Sequence, residues 1–353
     1  MHFPMRAALL ALLVAATQDA SGQAPTQRWF RGNTHTHTWN SDGDTPPHEV
    51  VRWYRERGYQ FVVITDHEYL TDVAPLNALM GAPHRFLVLP GQELTQRVAD
   101  SAHHEGLRQA HLNGLGISRV VLPLGERGIA TGTTIAATYR RNVAELRAAG
   151  AVVQANHPNF RWSVPLEEMM ALPDSTLFEL WNGHPTVYND GGVDSAGAVY
   201  PSTEARWDSL LTRGKLLFAV ADDDSHHFKP QDAENPDLAR PGRGWVYVRA
   251  DTLSPEAILG GLRRGDFYAS TGVVLRNYRA SPTELYVEVV QAADRSYRIE
   301  FIGSGGRLLA STYGRSAGYR ITGNEGYVRA RVVDSSGRRA WLQPVMVPAT
   351  GRR

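Results

Sequence analysis

Apolar and polar positions alternate along this chain with two distinct periods, and the change from one to the other divides it. Arg31 to Thr38 reads as a strand, and Pro47 to Gly58 as an amphipathic helix opened by proline, closed by glycine, with Val50, Val51 and Tyr54 facing inward. Phe61 to Ile64 is a short β-branched run typical of a buried strand. Further apolar runs follow at Arg85–Leu89, His111–Ile117, Ala151–Ala155, Leu177–Asn182 and Leu216–Ala221. Thr133 to Gly150 and Thr203 to Gly214 carry the helical period between them. Alternation of this kind predicts an α/β fold with parallel strands and right-handed crossovers. A barrel is preferred over an open sheet, because it gathers every strand end around one mouth.

The period changes after Gly244. Trp245 to Arg249 reads as a strand, Ser254 to Gly265 as a helix, and Asp266 to Gly272 as a turn closing the large domain. From Glu284 onward the runs LYVEVV, SYRIEFIG, GRLLAS, GYRIT, GYVRARVVD and WLQPVMV show only a period of two, so the tail predicts a small antiparallel β-sandwich. The expected domains are residues 28–278 and 282–350, behind a leader at 1–24. That leader has one positive charge before Ala7, an apolar run to Ala16 and small residues at Ala20 to Ala24, the order of a secretory signal too short to anchor in a bilayer. The expectation is an exported protein, periplasmic or secreted, with no membrane span.

Charge excludes more than it suggests. The 37 basic and 36 acidic residues of the 353 nearly cancel, so nothing argues for a nucleic-acid surface. The chain has no cysteine, so any metal must be held by His, Asp and Glu. Those residues stand where the strands end. A period of two places His35 and His37 on one strand face. The other strand-end groups are Asp42, His67, Glu93, His111, His157, Asp224 and His226. Nine imidazoles and carboxylates exceed what one ion needs, which implies two or three divalent ions of zinc, manganese or iron. His103, His104 and Glu105 offer alternatives to His111, and Asp224 is preferred over Asp222 and Asp223 because it stands two residues from His226.

His35-Thr36-His37 with Ser41-Asp42-Gly43, Thr65-Asp66-His67, Glu93, His111, Asn156-His157-Pro158 and Asp224-Ser225-His226 resemble the successive motifs of the PHP (polymerase and histidinol phosphatase) superfamily, over about Arg31 to Gly272. Phe267 to Gly272 (FYASTG) and the tail motif Ala340-Trp341-Leu342-Gln343-Pro344 resemble its carbaryl-hydrolase-like CehA/McbA branch. The resemblance implies a distorted (β/α)7 barrel followed by the β-sandwich. It makes all nine residues metal ligands, with Glu93 or Asp224 as a bridge, and leaves Asp66 to orient its neighbour or handle protons. The implied reaction is hydrolysis of a small phosphoester by a metal-bound hydroxide. Carboxylic or carbamic ester hydrolysis is the alternative, since the acidic triplet Asp222 to Asp224 disfavours anions, and a nonenzymatic binding role for the β tail is a third. Arg161, His184 and Lys229 are candidates for gripping substrate, Arg243 for an anion, and Trp162 and Trp181 for lining a pocket.

Overall fold

The computed structural model describes residues 27–348. The leader expected at residues 1–24 lies outside them. In chain order the first elements are β1 (Arg28–Asn33), α1 (Pro47–Glu56), β2 (Phe61–Ile64), α2 (Ala74–Met80), β3 (Leu87–Ala99), β4 (Leu107–Leu115), β5 (Ile129–Ala130), α3 (Ile135–Ala148), β6 (Val152–Ala155), α4 (Leu166–Met169) and β7 (Thr176–Asn182). Next come the small hairpin β8 (Gly192–Val193) and β9 (Val199–Tyr200), then α5 (Thr203–Thr212), β10 (Leu217–Asp222), β11 (Trp245–Ala250), α6 (Pro255–Arg264) and β12 (Phe267–Ser270). The tail comprises β13 (Leu275–Ala280), β14 (Glu284–Val289), β15 (Tyr297–Gly303), β16 (Arg307–Tyr313), β17 (Ser316–Arg320), β18 (Tyr327–Asp334), β19 (Arg339–Leu342) and β20 (Val345–Met346).

The helices start where side chains satisfy their first amides. Thr134, Ser202 and Ser254 accept from Ala137, Ala205 and Ala257 at the heads of α3, α5 and α6. No helix among the described residues is long and apolar enough to cross a membrane.

One large mixed sheet dominates, in the order β10-β7-β6-β4-β3-β2-β1-β11-β12-β19-β18-β15-β16. Pairs β1–β2, β2–β3, β6–β7 and β7–β10 are parallel, as expected. Strand β4 departs from the all-parallel expectation and runs antiparallel to both β3 and β6. Its chain direction is set by a turn at Asp100–Gly106, closed by Asp100 N donating to Gly106 O at 3.0 Å, so that β3 and β4 form a hairpin rather than a helical crossover. Beyond the regular strands, Asp224 N donates to His35 O at 3.0 Å and His37 N to Ser225 O at 2.9 Å, joining the far edge of this order back to the chain leaving β1.

Strand alternation explains the cores. Phe30, Phe61, Val63, Leu89, Leu115, Val152, Leu177, Phe218 and Val220 form one buried cluster, into which α6 inserts Ile258 and Leu262. The intervening positions turn outward: Val62 and Ile64 lie beneath Val50 and Tyr54 of α1, and Val153, Phe178 and Ala219 beneath α3 and α5. Strands from both ends of the order thus share one interior, and their carboxyl ends converge.

Asp266 to Gly272 is not the expected turn. Phe267–Ser270 is β12, paired antiparallel with β11 on one side and β19 on the other, because all four residues are buried between neighbours that need strand partners. The tail strands therefore continue the main sheet, while β13, β14 and β17 form a separate three-stranded layer against it. Val287, Ile299, Phe301, Val328 and Val332 fill the space between. Gln343 extends the join: its side chain accepts from Ala219 N and donates to Ala219 O, both at 2.8 Å, pairing with the outer edge of β10.

A buried charge network makes a second join. Arg329 Nε donates to Asp208 Oδ1 and its Nη2 to Asp208 Oδ2, each at 2.7 Å, and Arg329 also lies 2.8 Å from Glu204 Oε1. Arg331 spans Glu204 and Glu300. Burial would raise the Glu204 carboxyl, but Arg329 and Arg331 overcome it and hold it below the usual range. Its folded-state pKa is therefore the lower one, so the stability it contributes is present above the unfolded value of about 4.3 and is lost as pH falls through the folded value. The expected result is that Glu204→Gln is destabilised in urea titrations at pH 7, with the difference from the unsubstituted protein shrinking below about pH 4.

Candidate metal centre

Beyond Asn33 the extended backbone carries His35 and His37 to one side, as their spacing predicts. Their Nε2 atoms lie 3.1 Å apart. Each also lies 3.0–3.2 Å from Glu93 Oε2 and 3.2 Å from Asp224 Oδ1. Glu93 arrives from the middle of β3 and Asp224 from just past β10. Asp224 does not reach this place by strand alternation with His226. Its φ of 46° breaks the strand, turning its carboxylate to His35 and His37 while His226 faces Asp42.

Two further donor groups adjoin this quartet. His37, Asp42, His67 and His226 form one, with Asp42 oxygens 3.4–3.5 Å from the three rings. His67, Glu93 and His111 form the other, with His111 Nδ1 2.9 Å from Glu93 Oε1. His157 Nε2 lies 3.2 Å from the same oxygen. All nine sequence-derived ligands are thus brought together, and Glu93 touches most of them. Asp42 depends on Gly43, whose place allows no Cβ: one would lie 2.9 Å from the backbone of His37 and Thr38, onto which the loop folds.

The rings are held with their lone pairs inward. Glu179 Oε1 lies 2.7 Å from His35 Nδ1, Gln109 Oε1 3.1 Å from His111 Nε2, Thr95 Oγ1 2.8 Å from His67 Nδ1, and the carbonyl of Asp224 2.9 Å from His226 Nδ1. Acceptors on the outer nitrogen fix the tautomer that offers the inner one to a metal. With the His35 proton on Nδ1, its Nε2 meets a second imidazole nitrogen and two carboxylate oxygens, too many lone pairs for one shared proton. A cation resolves the crowding: a tetrahedron with edges of this length has its centre about 1.9 Å from each corner, close to zinc–nitrogen distances of about 2.0–2.1 Å. The donor set fits divalent ions.

Electrostatics agree with that reading. Burial would lower both His35 and His37, but the carboxylates beside them win; His35 is raised by Asp224, Glu93 and Glu179, and His37 is pushed up to about 10 by hydrogen bonds to Asp224 and Glu93. Glu93 stays well below the carboxylate range despite its burial, held down by His35, His67 and His111. Protons hold together what a cation would otherwise hold, so metal uptake releases protons and weakens as pH falls. Burial pushes His111 down to about 4 despite Glu93, and His184 likewise to about 4.

Other expected positions divide. Arg161 and His184 line the cavity above the cluster, about 300 Å3 in volume, together with Phe160 and Val187. Lys229 does not: it stands 49% exposed, 3.9 Å from Asp44, in a separate groove with Trp53 and Arg57, because the chain turns outward after His227. Asp66 accepts from Thr38 N, Ser41 Oγ and Thr71 Oγ1 at 2.6–2.9 Å and so braces the Asp42 loop. Asp223 accepts from Tyr54 and from the amides of Arg243 and Gly244, away from the cluster, and burial raises Asp222. The acidic triplet is therefore not three charges facing substrate. Trp162 stacks between Tyr188 and Tyr200, and Trp181 against Trp341, so both indoles serve packing.

Glu179, Thr95 and Gln109 are the functional residues that pattern reading left out or undecided. Glu179 carried a legible signal, a carboxylate inside an apolar strand, and is 1% exposed. Replacing it by glutamine should weaken metal affinity by about 10–100-fold, measured by chelator competition.

No family model and no curated protein matches this chain. Among solved structures it is similar to a two-domain Bacteroides vulgatus protein containing a predicted PHP-like metal-dependent phosphoesterase, at 15% identity and TM-score 0.47, over 87% of this chain and 90% of that one. A candidate metal-dependent phosphoesterase of Bifidobacterium adolescentis is similar at 16% identity and TM-score 0.36, over 55% and 87% of the two chains. An amidohydrolase of Chromobacterium violaceum with bound sulfate and no metal is similar at 14% identity and TM-score 0.36, over 59% and 90%. None of these values is large enough to carry a neighbour's chemistry across.

Proposed function

We propose that this chain is a metal-dependent hydrolase of the PHP kind, acting on a small phosphoester. The observation that carries the reading is Glu93, whose two oxygens meet five imidazoles within one cluster. A carboxylate shared by two adjoining donor groups suits adjacent ions. Two or three divalent ions held there would supply Lewis acidity to a phosphoryl or acyl oxygen and acidify water. The motif order Arg31 to Gly272 supports the superfamily, and the FYASTG and AWLQP segments the CehA/McbA branch. The shared interior and the two hydrogen bonds from Asp224 and to Ser225 support a distorted seven-stranded barrel, with residues 28–278 as the catalytic unit and 282–350 as a β-rich unit. The leader-like sequence of residues 1–24 supports export as part of this reading.

The chain's own residues have separable roles. His35, His37, Glu93 and Asp224 hold one ion, with Asp42, His67, His111, His157 and His226 completing the set. His184 Nδ1 accepts from Thr186 N at 3.3 Å, so its proton sits on Nε2, a neutral donor for a substrate oxygen. Arg161 would meet a phosphate bidentately. Phe160 and Val187 form the apolar wall.

Carboxylic or carbamic ester hydrolysis keeps one supporting observation: among the described residues Arg161 is the one Lys or Arg lining the cavity, and Glu105 already engages it. Metal analysis followed by a screen of phosphoesters against aryl esters and carbamates separates the two. Turnover confined to phosphoesters, lost on chelation and restored by zinc or manganese, is the expected result; turnover that survives chelation would falsify the metal-dependent reading.

A further inference from the structure

The turn between β3 and β4 carries three consecutive metal-ligating residues that the central cluster leaves unused: His103, His104 and Glu105. Their donor atoms lie within 4.8 Å of one another. Backbone bonds build the turn, His103 N donating to Asp100 O at 3.1 Å and Gly106 N to His103 O at 2.8 Å. His103 is buried at 7% exposure, and its ring centroid lies 4.2 Å from that of His104.

The second observation concerns the His103 tautomer. Its Nε2 lies 3.1 Å from the carbonyl oxygen of Arg161, which can only accept, so the proton sits on Nε2 and the lone pair on Nδ1. This backbone bond is the arrangement by which metal-ligating histidines are fixed. The one partner of Nδ1 is a long contact of 3.4 Å from Glu105 N. The side chains of His104 and Glu105 remain 35% and 31% exposed, open to an ion from solution. Two imidazoles and one carboxylate suit zinc better than calcium or magnesium, which prefer oxygen alone.

Glu105 has another tie. Both its oxygens lie 3.0 Å from Arg161 Nη1, the cation that lines the central cavity. Arg161 and Trp162 stand at φ values of 51° and 55°, and Trp162 is clamped by two tyrosine rings at 4.7 and 4.4 Å. The backbone of this turn is thus pinned, and the guanidinium, on a side chain 49% exposed, is the part free to move.

We propose that His103, His104 and Glu105 form a second, peripheral site for a zinc-like divalent cation, and that an ion there draws Glu105 away from Arg161, freeing the guanidinium for an anionic group in the central cavity. The binding half stands by itself; the release half rests on the hydrolase reading. An exposed ion pair is weak enough for zinc ligation to displace it.

The test uses the full chain, stripped of metal, dialysed against zinc and assayed for bound zinc. His103→Ala/His104→Ala should bind about one zinc fewer per chain than the unsubstituted protein. Equal counts overturn the site. Should that variant misfold, Glu105→Gln, which leaves the buried His103 in place, is expected to lower the zinc count in the same way, and an unchanged count overturns the proposal equally. His35→Ala/His37→Ala should lose central zinc and keep the peripheral ion, so failure of the central reading is seen separately. For the release half, inorganic phosphate is titrated calorimetrically into zinc-loaded centres: Glu105→Gln should bind it several-fold more tightly than unsubstituted protein lacking the peripheral ion. Equal phosphate affinity would overturn the release.

Discussion

In the Glu93→Gln variant, bound metal and turnover are expected to fall together, with turnover reduced by more than about 10³-fold and the fold retained. Glu93 is 1% exposed and meets His35, His37 and His67 through one oxygen and His111 and His157 through the other. The amide is nearly the same size but supplies a neutral oxygen to one side and an N–H to the other. One group of ligands must lose a lone-pair donor and face a hydrogen instead. No rotation of the amide restores both sides, so compensation by repacking is excluded. The measurement is metal content by elemental analysis beside steady-state kinetics, with circular dichroism as the control. A variant that keeps its metal and loses only turnover would show that Glu93 acts on substrate rather than as a bridge.

The second large effect lies far from the centre. Asp208→Ala should cost about 3–5 kcal/mol of stability in urea titrations, because it strands Arg329, a guanidinium only 1% exposed. Asp208 takes two hydrogen bonds from Arg329 and one from Tyr327, at 2.6–2.7 Å, joining α5 to β18. Glu204 remains as a partner at 2.8 Å, which keeps the loss toward the lower end of that range. Replacing Asp208 and Arg329 together by apolar residues of similar volume should recover most of it, since a buried pair contributes little beyond its own desolvation. Metal content should not change in either variant. A loss below about 1 kcal/mol for Asp208→Ala would mean that water enters the join between α5 and β18.

The residues differ in how far their roles could be read in advance. His35 and His37 were legible as a pair two residues apart, although the strand expected over Arg31–Thr38 ends at Asn33 and the pair lies just past it. The helices were legible from local signals, through the proline that opens α1 and the helix-favouring composition and closing glycines of Thr133–Gly150 and Thr203–Gly214. Asp224 was chosen for its spacing from His226, but that shared strand face does not exist in the structure. Its φ of 46° is imposed by the bonds that tie its backbone to His35, and no local rule foretells it. Lys229 shows the opposite error, since a cation near ligands in sequence leaves them in space once the chain turns outward.

What the sequence by itself determined is the kit and its order: imidazoles and carboxylates recurring in or just after apolar runs, a thiol-free set of donors suited to divalent ions, and a change of period marking the β-rich tail. Glu93 and His111 stand inside β3 and β4 rather than at strand ends. Only the tertiary structure decided which donors share an ion site, that β4 runs antiparallel, that the tail strands extend the main sheet, and that Glu179, Thr95 and Gln109 aim the rings. The physical reason is range. Periodicity and capping act over a few residues, while the oxygens of Glu93 collect His35 and His157, more than a hundred positions apart, which only the tertiary fold brings within 4 Å of that carboxylate.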